Sequence, residues 1–467
     1  MYRWVVPGFV LPLYDRVSRH HVWQEVLRLR ECQWRAPPEL ETRAFLKLRP
    51  LLAHAAEAVP YYRGVFRRAG IAPEDVRSVS DLSRIPITTR ADLRASFPGL
   101  VTAGNLPARR RRSSMTSGST GAPLEFYRDR ADIAIRLGSL LFFREWAGAP
   151  LWDAMLQISS PAHFYQSEFL SSPLPRLARR VLLGERVERV SGMTLTPEAF
   201  FAWTRRLTRA GRYFIWSFPS YATILAARLL ARGEALPAYP TVVITYAETL
   251  TEPNAAHIAR AFRCPVVNHY SSQEIHHMAQ TCPDVPSVLH VNSERAILRV
   301  VREDGSDAPL GERGRLVVTD LANYVMPFIN YEIGDQARAG PRCACGRGFP
   351  TLTNLDGRVG ETIRTLEGNV IAPVTLGRFL THICHAIPYV WEYQAVQTAP
   401  NAVVLRVVPT PRFTEGFAGT LRKALAEFLG PGMNVEIEAT DRIEAEPSGK
   451  RLVIKSWYAS GWACTPR

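Results

Sequence analysis

Six consecutive residues, Thr116-Ser117-Gly118-Ser119-Thr120-Gly121, hold four hydroxyls and two glycines. Glycines let successive backbone N–H groups turn toward one point, and short hydroxyls add donors around it. Such a loop can grip a phosphate chain, though it lacks the Gly-Lys-Ser/Thr ending of a Walker loop. A plain Ser/Thr/Gly surface loop has the same composition. Further along stand Ala247-Glu248 after an apolar run, the acid Glu274 in Tyr270-Ser271-Ser272-Gln273-Glu274, Gly334-Asp335 and Gly357-Arg358. Each also suits something simpler: Tyr270 a core, the two glycine pairs surface turns. Lys450, in Pro447-Ser448-Gly449-Lys450, is more pointed. Lys47, Lys423, Lys450 and Lys455 are the only lysines among 57 basic residues. A lysine in so arginine-rich a chain suggests work for a compact, mobile ammonium that guanidinium cannot do.

These residues need a scaffold. Residues 1 to about 95 read as a helical leader, with helical spacing over 22–29 and 41–59, a break at Pro60, and a Thr-capped short helix after residue 85. Residues 110–127 read as loop and strand. From 132 to about 263, helical stretches alternate with the short apolar runs 155–158, 213–216 and 241–245, and 265–268 follows. That alternation predicts βαβ units and a largely parallel sheet. From about 288 to 345 a strand–turn–strand pattern predicts a smaller antiparallel unit. After Gly357-Arg358 the expectation is a compact α+β tail: helix 374–385, strands 391–397 and 402–409, helix 414–429 and strand 435–439. The fold class is α/β, with a large domain over 1–357 and a small one over 358–467 that carries Lys450.

The composition is that of a globular chain, 46% hydrophobic and 21% charged. No apolar run is long enough to span a bilayer, and the apolar opening over 5–13 lacks a signal-peptide cleavage site. The net charge of +14 suits anionic ligands. Arg109 to Arg112 form the one dense basic run, without the interleaved aromatics of a nucleic-acid groove, so no specific nucleic-acid partner is expected. Seven cysteines, two of them in Cys343-x-Cys345, fit metal chemistry in a reducing cytoplasm better than a disulfide framework.

In this order the motifs resemble the adenylate-forming superfamily of acyl-CoA synthetases and adenylation domains. Cys343-Ala344-Cys345-Gly346-Arg347 and Val59-Pro60-Tyr61-Tyr62-Arg63 are similar to its phenylacetate–CoA ligase branch, which also holds capsule-biosynthesis-type ligases. The resemblance spans about residues 55–457. It implies a large domain with a mobile C-terminal lid, and ATP-dependent activation of a small, apolar or aromatic carboxylic acid through an acyl-adenylate, with CoA as acceptor. An amine or sugar acceptor is the first alternative; a non-catalytic or nucleic-acid-binding relative is the second. It also implies roles. Thr116 to Gly121 would grip the phosphates, Glu274 would hold Mg²⁺, and Asp335 would hold the ribose. Arg358 would reach the ribose or α-phosphate, Tyr270 would stack on adenine beside Ala247-Glu248, and Lys450 would be catalytic. Cys282 and His290 would join Cys343 and Cys345 around a structural Zn²⁺. The chain departs from the family pattern at Gln273, where a hydroxyl is usual, and at Gly360, where an acidic hinge is usual. It also lacks a lysine after the hydroxyl loop, where Arg128 or the Arg109–Arg112 run offers a substitute cation. The sequence leaves the oligomeric state open, a homodimer being one option.

Overall fold

The computed structural model describes residues 5–18, 21–116, 124–159, 186–192, 195–208, 211–247, 250, 252–353, 355, 363–367, 369–371, 376, 379–380, 389–444 and 454–456. The leader is helical as expected, with helices Val22–Cys32, Pro37–Ala58 and Pro60–Ala69. Pro60 does not simply end a helix. It opens the next one, because its missing N–H costs nothing in a first turn. Leu48, Leu51, Leu52 and Ala55 pack with Tyr62 and Phe66 against Ile297, Leu321 and Ile329. Tyr62 ties the two regions further: its buried hydroxyl donates to Pro327 O at 3.0 Å and accepts from Ile329 N at 2.9 Å. Thr89 caps the short helix Arg90–Ser96 through a reciprocal pairing with Asp92, the cap expected there.

Strands β1 (Arg111–Met115) and β2 (Glu125–Asp129) form an antiparallel hairpin. The main sheet takes β3 (Ala154–Ser159), β4 (Val187–Ser191), β5 (Tyr213–Ser217), β6 (Val243–Tyr246) and β7 (Val266–Tyr270) in parallel. It continues antiparallel through β8 (Ala279–Thr281), β9 (Val288–Val291), β10 (Ala296–Val301), β11 (Arg313–Asp320), β12 (Tyr331–Ala339) and β13 (Thr351–Thr353). Among the described residues this is one eleven-stranded sheet, ordered β10-β11-β12-β13-β9-β8-β7-β6-β5-β3-β4. The antiparallel strands expected to stand apart therefore extend the parallel half. The direction changes at β8, earlier than the pattern suggested, because β8 and β9 are too short to show an alternation.

Behind the sheet junction lies a buried charge cluster. Arg295 donates to Asp320 Oδ2 at 2.9 Å, to Ile275 O at 3.0 Å and to Asp132. All three charged side chains are fully buried, so each depends on the others for solvation. Arg295→Ala leaves Asp320 without its cation and Asp132 with only Arg136, 3.8 Å away. The expected cost is about 3–5 kcal/mol of stability. A lower denaturant midpoint with an unchanged slope is the signature to look for.

The C-terminal region holds the ribbon β14 (Ile363–Arg364) and β15 (Val370–Ile371), then β16 (Val390–Ala399), β17 (Ala402–Pro409), β18 (Asn434–Ala439) and β19 (Ile454–Ser456). The last four pair in the order β18-β17-β16-β19. Helix Glu415–Leu429 crosses from β17 to β18, capped by Thr414, whose hydroxyl accepts from Phe417 N. It buries Leu421, Leu425 and Leu429 with Val403, Leu405 and Val407. The strand pair and this helix match the sequence expectation; β19 was not foreseen, and most of the helix expected over 374–385 lies outside the described residues. No helix among the described residues is long and apolar enough to cross a membrane.

Candidate active site

Thr116 stands at the mouth of the hydroxyl loop and ties its two ends. Its N–H donates to Leu124 O, and Leu124 N donates back to Thr116 Oγ1, both at 2.9 Å. Ser117, Gly118, Ser119, Thr120 and Gly121 lie outside the described residues. Arg90, first residue of its helix, donates to Thr116 Oγ1 and stands 3.8 Å from Glu274 Oε1. Tyr331 donates to the same carboxylate oxygen at 3.2 Å. Thr116 and Glu274, distant in the chain, are thus joined through one guanidinium. Arg90 was missed at the sequence level, since one arginine among so many carries no signal. Arg128, considered as a substitute cation, donates to Gln273 O at 2.6 Å and Gln273 Oε1 at 3.2 Å. It fastens the turn that carries Glu274.

Tyr270 ends β7, and its hydroxyl donates to Asp335 Oδ2 at 2.9 Å. Asp335 follows Gly334, whose φ of +93° only glycine adopts without strain. Ala247 closes β6 at φ +66°. A left-handed alanine costs about 1–2 kcal/mol, so surrounding structure must hold it there. Glu248, Arg358 and Lys450 lie outside the described residues, as does Gly360.

A second cluster gathers Cys282, just after β8, His290 on β9, and Cys343 and Cys345 in the turn between β12 and β13. Their ligand atoms all lie within 4.8 Å of one another. Cys282 Sγ and Cys343 Sγ are 3.9 Å apart, and Cys345 Sγ lies 3.3 Å from His290 Nε2. Zinc–sulfur bonds of about 2.3 Å imply tetrahedral edges near 3.8 Å, so the donor set fits this ion. His290 Nδ1 faces Phe349 O at 3.3 Å, which leaves Nε2 as the nitrogen available to a metal. Burial pushes the Cys282 thiol up to about 12. Burial acts the same way on Cys345, but hydrogen bonds from Arg347, Cys343 and Cys282 together outweigh it and hold that thiol below its usual range.

A third group lines the carboxyl ends of the parallel strands. Gln157 Nε2 donates to the Tyr246 hydroxyl at 3.3 Å. The Trp216 ring lies 5.1 Å from Tyr246 and 5.4 Å from His269, centroid to centroid. His269 Nε2 and His277 Nδ1 are 2.7 Å apart. Burial drives the His269 pKa down to about 4 and holds His276 and His277 well below the usual range, so all three are neutral at pH 7.

The chain has the fold of the adenylate-forming ligases. Two structures of 2-hydroxyisobutyryl-CoA ligase, in its postadenylation and thioesterification states, each align with a TM-score of 0.59, at 19% and 21% identity, over 91% of both chains. In sequence it is related to phenylacetate-coenzyme A ligases and to CapK. It is 27% identical to the phenylacetate-coenzyme A ligase of Thermus thermophilus over 77% of this chain and 80% of that one. It is 21% identical to the protein CapK of Staphylococcus aureus over 94% and 92%. Residues 363–456 match the CapK C-terminal domain family.

Proposed function

We propose that this chain activates a carboxylic acid with ATP and transfers the acyl group to coenzyme A. The carboxylate oxygen attacks the α-phosphorus and pyrophosphate leaves; the thiol sulfur then displaces AMP from the acyl carbon. The observation that carries this reading is the Thr116–Arg90–Glu274–Tyr331 set, a phosphate-loop anchor wired to a buried carboxylate. In this reading Thr116 and the loop up to Gly121 grip the β- and γ-phosphates. Glu274 is a buried oxygen ligand suited to magnesium, which when bound offsets phosphate charge. Asp335 receives the ribose hydroxyls, Tyr270 flanks the base beside Ala247 and Glu248, and Arg358 reaches the ribose or α-phosphate. The lid domain begins near residue 358 and turns about Gly360, bringing Lys450 to the reacting atoms. Zinc in the Cys282–His290–Cys343–Cys345 cluster is structural, with no position left open for a substrate.

The deciding assay is pyrophosphate release across aryl, fatty and amino acids, with and without CoA. Acid-dependent release followed by CoA-dependent thioester formation supports the proposal; no release with any acid defeats it. A second reading keeps the adenylation and changes the acceptor to an amine or sugar. It is favoured by the C-terminal match to a domain named for CapK rather than for a CoA ligase. Release without any thioester product selects it.

Asp335→Ala is expected to weaken nucleotide binding about 10- to 100-fold, the scale of a lost charged hydrogen bond. The rate at saturating ATP should change much less, because ribose contacts are alike in ground and transition states. Calorimetric titration beside saturation kinetics separates the two quantities, and an unchanged nucleotide affinity removes Asp335 from the site.

A further inference from the structure

The parallel half of the sheet changes character along one face. Met155, Phe214, Ile244 and Val267 pack in one cluster on it. The register puts Gln157, Trp216, Ile244 and Val267 side by side on one rung, and Tyr246 and His269 on the next rung toward the carboxyl ends. The Trp216 ring lies against both Tyr246 and His269, so polar and aromatic side chains gather at the carboxyl ends of these parallel strands, where ligands bind in such sheets.

Hydrogen-bond geometry fixes which atom this layer offers. The Phe143 carbonyl can only accept, so the contact from Gln280 at 2.8 Å is made by its amide N–H. Gln280 Oε1 then faces His269 Nδ1 at 3.0 Å, which must carry the proton. His269 Nε2 is therefore a lone pair, and it accepts from His277 Nδ1 at 2.7 Å. The relay ends at His277 Nε2, a bare acceptor to which no donor is bonded among the described residues. His277 is only partly buried. It lies three residues after Glu274, on the same connector between β7 and β8.

We propose that the acid this chain activates carries an O–H or N–H donor on an apolar body, and that His277 Nε2 accepts that hydrogen bond while the body lies against Trp216 and Tyr246. This rests on the ligase reading above and narrows its substrate class. An acid without the donor leaves the acceptor dry and unpaired, which is why such a site discriminates strongly. His269 and Gln280 are positioning residues: they set the tautomer of His277.

The test compares matched acids in pyrophosphate release by the full chain. Phenylacetate is set against its meta- and para-hydroxy derivatives and their methyl ethers, and butanoate against hydroxybutanoates. At least one hydroxy acid should exceed both its hydrogen and its methoxy partner in kcat/KM by about 10- to 100-fold. His277→Leu should shrink that ratio toward one, and His277→Gln, which retains an acceptor oxygen, should keep part of it. Nucleotide affinity of each variant checks its fold, and the wild-type comparison stands without any variant. Release with no preference in any pair, or a preference that survives in His277→Leu, overturns the inference and leaves the ligase reading intact. No release with any acid overturns both.

Discussion

Lys450→Ala is expected to lower acyl-adenylate formation by about 10²- to 10³-fold, the scale of one electrostatic contact made in the transition state. Nucleotide affinity moves by less than about threefold, because an interaction realised only as charge develops adds nothing to ground-state binding. Lys450→Arg should not restore the rate, since a planar guanidinium cannot replace a compact ammonium between a carboxylate oxygen and a phosphate. The residue stands a few positions before β19, the edge strand beside β16. In the proposed two-domain reading Lys450 belongs to the lid, so the half-reactions should separate. Thioester formation from synthetic acyl-adenylate should survive in the alanine variant while pyrophosphate exchange collapses. Wild-type exchange in that variant would sink the assignment.

The second large effect concerns the cysteine–histidine cluster. Metal analysis should find about one zinc per chain, lost in a Cys343→Ser/Cys345→Ser double variant. An ion joining Cys282 to Cys343 closes a segment of 61 residues. By the loop-closure model a cross-link of that span removes about 4 kcal/mol of freedom from the unfolded chain. The double variant, and wild type stripped by chelator, should therefore share a lowered melting temperature, and added zinc should rescue only the wild type. The ion should leave more readily as pH falls, because thiols and imidazole must shed protons to ligate it. Zinc-free protein with full thermal stability removes the site and leaves the ligase reading untouched.

How far the sequence could be read depended on whether residues speak singly or in company. The strand 402–409 and the helix after Thr414 are legible because apolar period and cap agree. Cys343 and Cys345 were legible from their spacing, whereas Cys282 and His290 came only from the family resemblance; the fold brings all four together. Arg90 was not legible: its meaning comes wholly from what it touches, Thr116 and Glu274. Pro60 was half legible, since a proline says that one helix stops but not that another starts. β19 is three residues long and has no pattern of its own; only pairing with β16 makes it a strand. The histidine relay was visible as residue types, but its direction needed Gln280 and the Phe143 carbonyl.

The reversal of strand direction between β7 and β8 has an engineering consequence. A parallel neighbour requires a long crossover, usually a helix, whereas an antiparallel one accepts a short link. Residues 271–278 are therefore relieved of bridging the sheet, yet they hold Gln273, Glu274, His276 and His277. Both ends are pinned by the strands themselves, through the pairings of His269 with Gln280 and Tyr270 with Ala279. Grafts of equal length that keep Ile275 and Met278, both buried in the core, and the Ile275 carbonyl held by Arg295 should alter the proposed cation and acid contacts together while the flanking ladder stays in register.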